Sequence, residues 1–278
     1  MAGLALALSV ITISCGDNKT QAPVYGDYTG APPTTLECVP NLDGKIEASE
    51  VRPAIGTPIS YLVSPATATR PVNIAGGPDK NGQLSWSFDT DYADDQVATV
   101  MPQAITGKWY ETSFPPDAFV TPFDAGGTVD NIARQTDQSL LLLGVASDDQ
   151  SPAEGQTLLI YDNPVEILRF PIQPGTEFVS TGVVQNGTLR GLPYAGKDVY
   201  EVRVDAEGSV VLPSLWFQQA FRVRTKVTVQ PAVGASTSRR QVSYFSECFA
   251  EVVRATSLPD EPNEDFTTAA ELRRIGFN

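Results

Sequence analysis

From residue 56 onward the chain is a succession of short apolar runs separated by turn residues. Residues 59–63 and 72–74 read as strands. Leu84, Trp86 and Phe88 alternate with Ser85 and Ser87, the period of a strand with one buried face. The run 139–145 is uniformly apolar, as a fully buried strand is, and 156–161 pairs with it across a polar loop. Residues 178–185 and 188–192 flank Asn186-Gly187, a dipeptide that supplies the positive φ values of a type I′ turn and predicts a hairpin. Tyr200, Val202 and Val204 alternate with Glu201 and Arg203, and Glu207-Gly208 turns the chain into a further run at 210–212. In the longest signal, Phe221, Val223, Thr225, Val227 and Val229 alternate with Arg222, Arg224 and Lys226, giving one apolar and one cationic face. The return strand is 242–253. Glu247 and Glu251 then fall opposite the basic stripe, which reads as a charge-matched solvent face or, alternatively, an anion or headgroup site. The last segment has a different period: Asp265 caps a short helix over 267–275, with Arg273 and Arg274 in its final turn and Gly276 closing it.

These elements predict a mainly β fold, an antiparallel sheet arranged as a sandwich or a curved half-barrel, with few short helices. The 22 Pro and 22 Gly among 278 residues agree with many short strands and tight turns. The organisation expected is a leader at 1–14, a flexible tether at 15–37 and a turn and short-helix segment at 38–57. A β domain follows at 58–256, in two sub-sheets divided near 137, and then an acidic tail at 257–278.

The first sixteen residues carry an apolar run, Leu4 to Leu8 and then Val10-Ile11, ending in Ser14-Cys15-Gly16 and followed by polar Asp17-Asn18-Lys19. This layout resembles the lipobox of bacterial lipoprotein precursors. Thr12 stands where that motif usually has Leu. No Lys or Arg precedes the run, which predicts a translation start upstream of Met1. The resemblance implies cleavage before Cys15, acylation of that cysteine and anchoring in the cell envelope, at the outer membrane. The run is shorter than the roughly 20 residues a membrane-spanning helix needs. Leu168-Arg169-Phe170-Pro171 with Gly175 is similar to a segment of uncharacterised envelope lipoproteins, and implies an antiparallel sheet rather than an activity.

Composition narrows the chemistry. A net charge of −14 repels nucleic-acid phosphates and argues against nucleic-acid partners. The chain has no histidine, which removes His-based acid–base catalysis, His-dependent dyads and triads, and the usual zinc sites. With Cys15 lipidated, Cys38 and Cys248 are an even pair in an oxidising compartment, where a disulfide is the default. Closing a loop of about 210 residues is worth at most about 5 kcal/mol by chain entropy.

Two acidic stretches are candidate calcium sites. Residues 39–50 resemble part of an EF-hand loop, with Asn41, Asp43 and Glu50 at ligand positions, Gly44 at the sharp turn and Val39 in place of the first ligand. The other reading of this stretch is an Asp-Gly turn that starts a short helix. Asp89, Asp91, Asp94 and Asp95 share one loop. They read as a solvated loop, a calcium site, or an acid pair for glycoside hydrolysis. Trp109, Tyr110, Phe114, Phe119 and Phe123 cover a core or line a sugar or peptide groove. No catalytic motif and no cofactor is evident. The reading is a non-catalytic binding or structural lipoprotein, whose partners are the membrane through its lipid and an envelope protein, glycan or apolar ligand. The alternatives are an exported carboxylate-dependent hydrolase and a periplasm-facing carrier resembling the lipoprotein half-barrels.

Overall fold

A computed structural model describes residues 38–123 and 126–276. Its strands are β1 (Ile59–Val63), β2 (Arg70–Pro71), β3 (Gly77–Pro78), β4 (Leu84–Ser87), β5 (Gln96–Val100), β6 (Gln103–Ala104), β7 (Phe119–Pro122) and β8 (Val129–Gln135). The longer ones follow: β9 (Ser139–Ser147), β10 (Leu158–Arg169), β11 (Glu177–Leu189), β12 (Leu192–Val211), β13 (Trp216–Pro231), β14 (Thr237–Ser246), β15 (Ala250–Ser257) and β16 (Thr268–Ile275). They form a single large sheet, antiparallel apart from one short parallel pairing. Its order runs β5-β1-β16-β15-β14-β13-β12-β11-β10-β9-β8-β7-β6. The sheet is not closed into a barrel, and its two edge strands, β5 and β6, are joined through Met101-Pro102.

Hydrogen bonding is continuous across residue 137, so the two expected sub-sheets are parts of one sheet. The acidic tail is likewise no appendage. Residues 268–275 are a strand, not the expected helix, and pair with β15 on one side and β1 on the other. Ala, Glu, Leu and Arg favour helix locally, but inside a sheet the segment buries Ala269, Leu272 and Arg274 and satisfies its backbone on both sides. Asp265 caps nothing; it accepts from Arg224.

Other departures share a cause, the packing of a third element. The β11–β12 hairpin turns at Arg190-Gly191, both with positive φ, rather than at Asn186-Gly187, which sits at a register shift. Glu207-Gly208 does not end a strand. β12 continues through bulges there, because a Cβ on Gly208 would meet the Leu84 carbonyl at 2.5 Å, and its absence lets β4 pair in parallel at Ser85↔Ser209. The return strand 242–253 is divided into β14 and β15 by a turn at 247–249, where Cys248 has φ of 65°. That turn holds the Cys38–Cys248 disulfide, with Cα atoms 5.6 Å apart.

Both faces of the sheet are covered. Tyr244 and Val242 lie opposite Arg222 and Arg224 on one face, and with Trp86, Phe88, Ile74 and Phe266 they form the largest apolar cluster. Phe221, Val223 and Phe245 point the other way, against Ile46, Val51, Phe170 and Ile172. The segment bearing Ile46 is fastened by reciprocal backbone bonds between Ile46 and Ile172. A third cluster buries Tyr110 and Phe114 against β7–β9, so these aromatics are core, while Phe123 is exposed.

Candidate functional site

The EF-hand-like stretch spends its polar groups on itself. The Asn41 side-chain oxygen accepts the Asp43 N–H at 2.9 Å, its amide donates to Glu50 Oε1 at 3.0 Å, and Asp43 accepts the Lys45 N–H. Glu50 Oε2 accepts the Glu47 N–H in a capping box around the 3-10 turn Ala48–Val51. Gly44 at φ of 87° makes the Asp-Gly turn. Glu247, which is fully buried, adds a second carboxylate: its Oε2 accepts the N–H groups of Asn41 and Leu42, while Oε1 has no hydrogen-bond partner. Burial, together with the charges of Glu247, Asp43 and Glu47, holds the Glu50 carboxyl above its usual range despite the Glu47 N–H. The turn and the cap account for the positions of Asn41, Asp43 and Glu50.

The aspartate loop is also committed elsewhere. The Asp95 carboxylate is buried between two guanidiniums, Arg70 at 2.8 Å and Arg274 in still closer contact, and Asp94 accepts from the same Arg70 Nη2. Arg274 is completely buried and also donates to the carbonyls of Phe88 and Thr90. Both arginines lie over the Tyr92 ring. Asp89 accepts from Ser87. Two of the four carboxylates, Asp94 and Asp95, are therefore paired with arginine as a structural clasp, while Asp91 is exposed. Among the described residues, no group of three or more Cys, Asp or Glu side chains is placed to hold a metal ion.

The basic stripe is only partly a solvent face. Arg222 and Arg224 are buried and share Asp205, at 2.7 and 2.6 Å, and Arg224 also reaches Asp265. Burial pushes the Asp205 carboxyl up, but the two arginines outweigh it and hold it below the usual range. Glu251 lies on the opposite face, bound to Arg254, Arg273 and Ser243, and Glu247 is engaged in the turn, so neither faces the stripe. Only Lys226, paired with Glu201 at 3.2 Å, remains substantially accessible. A groove of about 220 Å³ crosses β11–β14 at this point, with Val179, Glu201, Arg203, Lys226, Arg240 and Glu264 along it. Its charges are internally matched, which suits a polar neutral or zwitterionic partner better than a simple anion.

A further group was not visible in the sequence. Tyr161 of β10 donates to Asp198 Oδ2 of β12 at 2.6 Å, passing over Gly182, the residue that faces Asp198 in the ladder. Oδ1 of Asp198 is buried without a partner. With no cation beside it, burial raises the Asp198 carboxyl, outweighing the Tyr161 hydrogen bond. Burial also pushes the neighbouring Tyr200 phenol up to about 12. The three residues come from two non-adjacent strands, a relation no local spacing encodes. Cys15 lies outside the described residues. The chain matches no protein-family model, no curated protein and no solved structure.

Proposed function

We propose that this chain is a lipid-anchored envelope protein with a non-catalytic binding or structural role. In this reading residues 1–14 are removed, Cys15 is acylated at the outer membrane, and 16–37 link it to the β body. One observation carries the proposal: Cys38 and Cys248 are joined, which fits an oxidising compartment and leaves Cys15, directly after the apolar run, as the only unassigned cysteine. The carrier alternative draws less support, since loops and short segments fill both faces of the sheet with packed side chains. The hydrolase alternative draws less too, because Asp94 and Asp95 are bound by arginine. The matched-charge groove across β11–β14 supports a binding role for a glycan or an envelope protein.

Mass analysis of the N-terminal peptide from protein extracted from membranes tests the reading. Acylated Cys15 as the first residue is the expected result. An unmodified peptide that retains residues 1–14 would overturn it.

A further inference from the structure

Large apolar side chains are exposed around the turn that holds the disulfide. Trp216 is 63% exposed, Val39 66%, Leu42 44% and Phe249 42%. Contacts tie them to one end of the sheet. Phe249 follows Cys248 and stacks edge-on against Phe217, the neighbour of Trp216, with ring centroids 5.2 Å apart. Val39 follows Cys38, the disulfide partner of Cys248. Leu42 is held there by its N–H bond to Glu247.

The same place is where residues 1–37 join the body, since Cys38 is bonded to Cys248. At ~3.4 Å per residue, the chain from 16 to 37 reaches at most about 75 Å, so a lipidated Cys15 would keep this end within that distance of the bilayer. Aromatic and aliphatic side chains with one amphipathic indole suit the headgroup boundary. The net charge of −14 opposes attraction to anionic lipid, so the contact would be apolar in origin.

We infer that the disulfide end, through Trp216, Phe249, Leu42 and Val39, rests on the surface of the membrane that anchors the chain. This rests on the lipoprotein reading and adds an orientation to it. The opposite end of the sheet also carries exposed apolar tips, Leu192 and Val233. It holds Trp109 near it, through the Nε1 bond to the Ser147 carbonyl. Trp86 is fully buried. The tryptophans thus report separately on the two ends and the interior.

The test uses full-length protein in vesicles of phosphatidylcholine and phosphatidylethanolamine, with phosphatidylcholine brominated near the headgroup end of its acyl chains. The mass of the Cys15 peptide is read in the same sample. Expected is a loss of roughly a third of the tryptophan emission, the share of one interfacial indole among three, rising to about a half in Trp109→Phe and abolished by Trp216→Phe. Acylated protein without quenching at Trp216, whether because another protein covers the patch or because Trp109 is quenched instead, overturns the orientation and leaves the lipoprotein reading intact. An unacylated Cys15 overturns both.

Discussion

The Tyr161 phenol reaches Asp198 only because Gly182 stands between them. A Cβ on Gly182 would approach the Tyr161 ring to 2.4 Å and Val165 to 2.5 Å. Gly182→Ala therefore forces the ring off its path across β11. Expected is a destabilisation of about 1–3 kcal/mol in denaturant unfolding, together with loss of the Tyr161–Asp198 bond.

Asp198 itself gives a pH signature. Its folded carboxyl is raised by burial, so the folded state binds a proton more tightly than the unfolded chain does. Its contribution is present below the unfolded value of about 4 and is lost as pH rises through the folded value. Asp198→Asn is expected to remove that decline, so that the variant gains on the wild type as pH rises. A constant difference at every pH would contradict this.

Glu251 has the opposite sign. Burial pushes its carboxyl up, but Arg254 and Arg273 outweigh burial and hold it below the usual range. Its stabilisation is full above about 4.3, the unfolded value, and is lost as pH falls through the folded one. Glu251→Gln leaves Arg273 underneutralised and is expected to cost about 3 kcal/mol near neutral pH. The gap from wild type should close in acid, as read by thermal melts across pH.

The aspartate loop makes a paired prediction. Asp95→Asn strips the anion shared by Arg70 and Arg274 and is expected to cost about 3–5 kcal/mol in unfolding. Calcium should leave the melting temperature of the wild type unchanged, because Asp94 and Asp95 already hold guanidiniums and Asn41, Asp43 and Glu50 hold backbone N–H and amide groups. A calcium-dependent rise that is lost in Asp43→Ala or Asp91→Ala would restore a metal role to that loop.

What was legible in the sequence was the period of the strands. Leu84 to Phe88, 139–145 and 221–229 announce themselves through alternation or uniform apolarity, and the fold class follows. The cysteine pairing was legible as well, once the lipobox resemblance set Cys15 aside and left an even pair. Turn positions were less so. Asn186-Gly187 is a better local turn than Arg190-Gly191, yet the ladder gains the pairs Thr188↔Pro193 and Leu189↔Leu192 by turning later. Residues 268–275 prefer helix as an isolated segment and become strand because β1 and β15 both need a partner. The partners of charged side chains were illegible. Arg274 and Asp95 are far apart in the chain, and nothing near either one signals the other.

In the lipoprotein proposal, the β body is held to the envelope through lipid on Cys15. Growing cells with labelled palmitate, with the wild-type chain compared against Cys15→Ala, tests it most directly. Label in the wild type and none in the variant is the expected result; equal labelling of both, or of neither, would contradict it.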